Sequence, residues 1–367
     1  MQILISGAGL AGLALALNLG SRDHEVTVVE RASHFRVNGS PIDIRGDAIS
    51  VTGDMGLLTQ VLEHRVRMTD QIVWVNSDGE EVAGSPEPEF TDSGDDIEIP
   101  REDLAHILAD ALPPSVSIRF LDSIDALADD GDGVDVRFAS GRGERFDLVL
   151  GADGLHSVVR RLVFGPERDY LRHLGLYVAL TDLPGEAWLG QHSPMYNFPG
   201  HLAGIGRFND KSVGVFMFRS GLIDYDYDYH DPGAGQKILA GAFAGHTAWR
   251  IPELLDAAFA DSELYFDSVS QIHMPGWHKG RIALVGDAAH CASLLSGRGT
   301  SLAFTGAYFL AEELTRSGGH HAAAFQRYHD RQRSYVTFAQ NSAGLGADLL
   351  VPATWEAIAA RNKSLQG

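Results

Sequence analysis

The chain has 367 residues, enough for one large domain or two smaller ones with ample core, and its apolar (44%) and charged (21%) fractions are ordinary for a globular protein. A formal charge of −20 argues against nucleic acid and against anionic membrane surfaces as partners. The single cysteine, Cys291, precludes an internal disulfide and suits a reducing cytoplasm, and no apolar run is long enough to span a bilayer.

The apolar start, Met1–Leu19, lacks a basic leading segment and is broken by three spaced glycines, so it reads as strand, loop and helix rather than a secretory signal. Gln2–Ser6 is a short strand, Leu10–Leu19 an alanine- and leucine-rich helix, and Glu25–Glu30 a second strand, together a βαβ unit. The connection is Gly7-Ala8-Gly9-Leu10-Ala11-Gly12. In this spacing Gly7 allows the tight turn, Gly9 lets a pyrophosphate approach the backbone, and Gly12 lets helix pack on strand. The helix start offers N–H groups to phosphate. Glu30 ends the second strand, where a carboxylate accepts from ribose hydroxyls. Its neighbour Arg31 either touches the adenine side or faces water. Alone, this fingerprint reports a dinucleotide and leaves NAD and FAD unresolved.

Gly39–Gly46 is a loop running into a strand, with Arg45 among apolar residues, where a cofactor contact is about even with a solvated strand end or a surface salt bridge. Gln71–Val82 reads as a strand pair turning at Ser77-Asp78-Gly79, and Gly84–Asp96 as a mobile connection rich in Pro, Gly and acids. Ile99-Pro100-Arg101 leads into a helix, and Arg101 at its start either meets phosphate or ribityl oxygens or faces water. Val116–Phe120, Val134–Phe138 and Asp147–Leu150 are strands of a second β-rich passage. It closes at a turn containing Asp153-Gly154 and Ser157, followed by a helix bearing Arg160 and Arg161.

From Val163 to Pro275 the texture changes to alternating strands such as Leu202–Phe208 and Val213–Phe218, with many aromatics. Tyr196, Phe198, Phe208, Phe216 and Phe218 are candidate walls of a substrate pocket, with core packing the alternative for each. Arg207, with Arg219 and His192, is a candidate for steering an anionic or phenolic substrate, with a surface position the alternative. The alternating Asp/Tyr run Asp224–Asp231 reads as an exposed loop or lid. It lacks the glycine and terminal glutamate of a calcium loop, so no metal site is expected. Near the far end come Gly286-Asp287-Ala288-Ala289-His290 and then Gly297-Arg298-Gly299-Thr300-Ser301, which opens a helix continuing through Ala303–Leu314. Gly297 and Gly299 permit close approach of backbone to a ring, and N–H groups at that helix start favour negative charge on it. Helical Ala322–Ala339 then packs across the two domains. A second strand-to-glycine segment so far from the first indicates a long cofactor held by distant parts of one chain, which points to FAD.

The three motifs, Gly7–Gly12 with Glu30, Asp153-Gly154 with Ser157 and Arg160, and Gly286-Asp287, occur in an order and at separations that, with Arg45 and Arg101, cover nearly the whole chain. In these the chain resembles the single-component (group A) FAD-dependent aromatic hydroxylases, the family of p-hydroxybenzoate hydroxylase and the tetracycline-inactivating monooxygenases. The resemblance implies an α/β fold: a discontinuous Rossmann-type FAD-binding domain (1–70, 97–165 and 276–367), an inserted β-sheet substrate domain (71–96 and 166–275) and a C-terminal helix. It places Gly7, Gly9 and Gly12 on the pyrophosphate, Glu30 on the adenosine ribose, Arg45 near the flavin and Arg101 on the ribityl–phosphate section. It puts Asp287 on ribityl or phosphate oxygens, and Asp153-Gly154 at a turn shared by FAD and passing NAD(P)H. The start of the Gly297–Ser301 helix would face the flavin's pyrimidine edge.

By the same resemblance, NADPH or NADH reduces FAD and O2 forms a flavin C4a-hydroperoxide, which hydroxylates an aromatic, phenolic or polyketide-like molecule; a monomer or homodimer is expected, in the cytoplasm that the single cysteine suits. No catalytic side chain is assigned, which suits chemistry carried by the cofactor. One departure bears on oxygen insertion: relatives place a proline at the position of Leu294, beside the reacting carbon. An oxidase or dehydrogenase without oxygen insertion is therefore the principal alternative, with a non-catalytic FAD-binding protein further off. Trp249-Arg250-Ile251-Pro252 only faintly matches a flavin halogenase signature, and no lysine precedes Lys211.

Overall fold

The computed structural model describes residues 1–35, 41–66, 72–84, 94–185, 188–208, 211–220 and 231–366. Gly39-Ser40, most of the expected connection 84–96 and the Asp/Tyr run 224–230 lie outside the described residues.

The βαβ unit founds a six-stranded sheet in the order Val116–Phe120, Glu25–Glu30, Gln2–Ser6, Leu148–Gly151, Ile282–Leu284, His278–Lys279. The first five strands run parallel, and the last pairs antiparallel. Ile3, Leu4 and Ile5 have no exposed surface, as expected of a central parallel strand covered on both faces. The helix Leu10–Gly20 is buried nearly all round, lying between this sheet and the helix Gly299–Arg316. Its apolarity on every side, rather than on one stripe, follows from that double coverage.

The expected second β-rich passage divides. Val116–Phe120 and Leu148–Gly151 join the first sheet, whereas Val134–Phe138 lies in a three-stranded antiparallel sheet with Ile124–Asp129 and Gly143–Phe146. Alternation separates the cases: Val134–Phe138 is buried at every second residue and Leu148–Gly151 at every residue. Ile124–Asp129 escaped the sequence reading because alanine and aspartate are poor strand formers.

A seven-stranded sheet runs in the order Tyr265–Ile272, Leu171–Asp182, Lys211–Arg219, His201–Phe208, Ser193–Phe198, Ile72–Val75, Glu81–Gly84. All its pairs are antiparallel except Ser193–Phe198 with Ile72–Val75. The helices Pro232–Ala242 and Ile251–Ala260 cover one face; Leu295, Ala347, Leu350 and Val351 pack on the other. The expected helix Ala322–Ala339 runs from His321 to Leu350, and a last helix, Trp355–Ser364, follows. This tail braces the seven-stranded sheet at both ends of its strand order. Gln340 Nε2 donates to Ile272 O (2.9 Å), and Arg361 donates to Asn197 Oδ1 (2.8 Å) while lying 3.4 Å above the Trp74 ring.

Candidate cofactor and active site

The glycine loop is shaped by the protein itself at two positions and left open at a third. Gly7 has φ +100°, and a Cβ there would lie 2.6 Å from Ala152 O; one at Gly12 would lie 1.9 Å from Gly7 O. At Gly9 a Cβ would meet no heavy atom within 4 Å, and no side chain caps the helix that begins at Leu10. Free helix N–H groups thus border open space, as an anion requires. Glu30 braces this loop: Oε2 accepts from Ala8 N (2.8 Å) and Oε1 from Ala32 N (2.9 Å). Arg31 beside it is exposed.

The structure brings the other motifs against this loop. A Cβ on Gly286, φ +63°, would lie 2.8 Å from the Ala11 Cβ, and Val285 N donates to Gly151 O (2.8 Å). Asp153 accepts from Ser157 Oγ (2.5 Å) and Val159 N (3.1 Å), and Ser157 Oγ caps the following helix by accepting from Arg160 N (2.9 Å). The Asp-Gly turn is therefore fixed by its own side chains, with Gly154 at φ +80°. Asp287 opens onto the cleft, where desolvation by the surrounding protein raises its carboxyl pKa and the positive charge of Arg101 partly offsets the rise. Arg101, the first residue of the helix Arg101–Asp110, lies near enough for its charge to act on Asp287. His290 plays no polar part in the cleft: it is buried against Trp277 (ring centroids 4.6 Å apart), and desolvation lowers its pKa to about 3.

Arg45 follows the short strand Ile42–Ile44, paired with Ile97–Ile99. Its backbone N–H donates to Ser301 Oγ (2.9 Å) and its guanidinium pairs with Asp43 (2.9 Å). Its Nε, 3.8 Å from Asp96, makes no hydrogen bond although buried. A Cβ on Gly297 would lie 3.4 Å from this guanidinium. Asp43, Asp96 and Glu98 were not singled out in the sequence; the signal was the pairing of Asp43 opposite Glu98 in one ribbon around one arginine. Desolvation, aided by Asp43 and opposed by Arg45, raises the Glu98 pKa to about 7. A cavity of about 240 Å³ opens beside these groups, lined among others by Arg45, Gly46, Arg298, Ser301, Tyr335 and Phe338. The helix Gly299–Arg316 begins there without a side-chain cap; a Cβ on Gly299 would meet nothing within 4 Å, and Thr300 is buried. Two uncapped helix starts, an open glycine at each and a buried guanidinium nitrogen awaiting an acceptor fit FAD, anionic in the middle and flat at one end.

The expected pocket walls separate by face. Tyr196, Phe198, Phe216 and Phe218 point beneath the two covering helices, in a core with Phe243, Leu239 and Leu254, and so form interior packing rather than a wall toward the cofactor segments. Phe208 points the other way, onto Val66 and Val213. Arg207 is spent on the loop before the neighbouring strand Ser193–Phe198, donating from Nε to Trp188 O (2.7 Å) and from Nη1 to His192 O. The face carrying Met195, Leu202 and Met217, with Leu180, Val215 and Tyr265 partly exposed beside them, is the one on which Leu295 packs.

A glycine loop on a parallel sheet, two further cofactor segments and a separate covering sheet define an FAD-dependent oxidoreductase. Residues 1–171 match the FAD binding domain family. The chain is 35% identical over 340 residues to a flavin-dependent monooxygenase of Legionella longbeachae, spanning 92% of this chain and 86% of the relative. It is 40% identical over 339 residues to an uncharacterized protein of Mycobacterium tuberculosis, spanning 91% and 90%. The crystal structures of tetracycline destructases Tet(51) and Tet(55) superpose with TM-scores of 0.87 and 0.84, at 31% and 34% identity, over 99% and 100% of this chain and 95% and 94% of theirs. The chain belongs to the FAD-dependent monooxygenases of the group A type. Among the described residues no helix is long and apolar enough to cross a membrane.

Proposed function

We propose that the protein uses NADPH or NADH and O2 to hydroxylate an aromatic, phenolic or polyketide-like small molecule in the cleft between the cofactor segments and the seven-stranded sheet. The observation that carries this reading is the direct junction of the two. Ile272 N donates to Cys291 O (3.0 Å) and Gln271 Nε2 to Ala292 O (3.3 Å), so a strand of that sheet abuts the Gly-Asp segment. FAD, when bound, supplies the electron transfer and oxygen chemistry that protein side chains lack. The chain's own groups bind, orient and shield. Gly7, Gly9, Leu10, Ala11 and Gly12 seat the pyrophosphate, Glu30 reaches the ribose, and Arg101, Asp153, Gly154, Gly286 and Asp287 border the middle of the cofactor. Arg45 and the Gly297–Ser301 helix start meet the ring. The apolar face of Leu180, Val215 and Met217 excludes water from the substrate side. The tetracycline destructases are named for a polycyclic substrate, which supports testing polycyclic phenols alongside simple ones.

The test is NADPH and NADH oxidation under labelled O2 across such a panel, with product mass spectrometry. Label in the product is the expected outcome. Oxidised, unlabelled product instead identifies an oxidase or dehydrogenase, the alternative raised by Leu294 at the relatives' proline position. Leu294 stands 49% exposed, and Ser293 before it holds φ +77°, a conformation costly for a residue with a Cβ.

A further inference from the structure

Behind the Gly-Asp segment, charged side chains run continuously from the cofactor motifs to the seven-stranded sheet. Arg160, without exposed surface, donates from Nη1 to Ala288 O (3.0 Å), and from Nη2 to Leu155 O (2.5 Å) and Glu167 Oε2 (2.6 Å). Glu167 Oε1 lies 2.8 Å from His156 Nδ1, and His156 Nε2 lies 3.2 Å from Asp267 Oδ1 on the strand Tyr265–Ile272. Both ring nitrogens therefore face carboxylate oxygens. A neutral imidazole carries one N–H and would turn a lone pair on one of them; only the imidazolium donates to both. Alternating charges along the run compensate one another, which is what permits their burial.

We propose that His156 is a positioning residue: as a cation bridging Glu167 and Asp267, it locks the substrate sheet to the segment bearing Asp287 and thereby sets how tightly FAD is held. The far end of the same strand is tied independently by Ile272 and Gln271, so loss of the ionic tie loosens this junction without detaching it. Burial alone would lower the His156 pKa, but hydrogen bonds and charge from Asp267 and Glu167 outweigh it and raise the pKa to about 9. Arg160 lies beyond Glu167, with Asp153 near it, and Asp287 lies beyond Asp267. Because the folded pKa exceeds the ordinary histidine value of 6.5, the tie's contribution is complete below about pH 6.5 and is lost as pH rises through about 9.

The experiment is FAD affinity of the apoprotein, read from flavin fluorescence between about pH 6 and pH 10.5, for wild type, His156→Gln and Asp267→Asn, with apoprotein melting followed in parallel. Wild type is expected to weaken about tenfold across an inflection near pH 9. His156→Gln, whose amide presents an N–H to one side and an oxygen to the other, should be about tenfold weaker at pH 7 and show no inflection. Asp267→Asn leaves one carboxylate on the ring and should move the inflection to lower pH, which a merely structural loss would not do. Wild-type FAD affinity in His156→Gln at pH 7, or an unmoved inflection in Asp267→Asn, overturns the proposal. If His156→Gln fails to fold, the movement of the Asp267→Asn inflection decides alone.

Discussion

A methyl group added at Gly12 would collide with the Gly7 carbonyl, whereas one added at Gly9 would project into space the chain leaves open. Gly9 also has φ −74°, which alanine adopts freely. The two substitutions should therefore part. Gly9→Ala is expected to keep its melting temperature and lose FAD affinity; Gly12→Ala should lose both, with a cost of about 3 kcal/mol from the backbone overlap. Flavin absorbance per mole of purified protein and a melting curve check this, and equal FAD content in Gly9→Ala and wild type would refute the assignment of that space. Glu98 offers a pH-dependent counterpart. Its folded pKa, raised by desolvation and Asp43 to about 7, means that native stability is lost as pH climbs from the usual carboxylate range through 7. Glu98→Gln removes that loss, so it should stabilise on the order of 2 kcal/mol at pH 8 and little at pH 5, read by urea unfolding at both.

At the scale of elements, the βαβ unit and both glycine-opened helices were legible because their signals are local: an apolar run, a glycine spacing, a helix-forming run. The orientation of the seven-stranded sheet was not. Tyr196, Phe198, Phe216 and Phe218 alternate with Met195, Asn197 and Met217, which specifies two faces but not which of them the helices Pro232–Ala242 and Ile251–Ala260 will cover. The helix His321–Leu350 was read short because Gly344 and Gly346 lower helix propensity. Gly346 packs against Leu295, where a Cβ would come 3.4 Å from Leu295 O, a contact at the tight end of the ordinary range. Glu167 and Asp267 were passed over because each acquires its meaning only from His156, distant in sequence. The final helix makes a testable element in its own right. Arg361 donates to Asn197 Oδ1 and Leu349 O, both at 2.8 Å, and covers Trp74, so Arg361→Ala would leave one buried and one partly buried acceptor unpaired. A loss of about 3 kcal/mol is expected in denaturant unfolding, with FAD affinity unchanged. Lysine should not rescue it, lacking the planar fork that reaches both acceptors.

At the scale of the whole molecule, the family match ends at residue 171, yet the cleft is completed by residues more than a hundred positions further on. Ile282–Leu284 pairs with Leu148–Gly151, the helix Gly299–Arg316 covers Leu10–Gly20, and Arg45 bonds to Ser301. The tail then reaches from Cys291 and from Ile272, on one edge strand of the seven-stranded sheet, to Asn197 and Trp74 near its other edge. A cofactor held by segments so interleaved with both sheets should stabilise the chain as one unit rather than its first half alone. At free FAD a hundredfold above its Kd, the gain is about 2.7 kcal/mol. Scanning calorimetry of apoprotein against increasing FAD should accordingly show one transition that climbs with ligand. If the seven-stranded sheet unfolded independently, a second transition would stay at fixed temperature as FAD rises. That result would mean that the Ile272–Cys291 and Gln340 ties, though present in the native state, do not couple the seven-stranded sheet to the cofactor, and the positioning role of His156 would have nothing to act through.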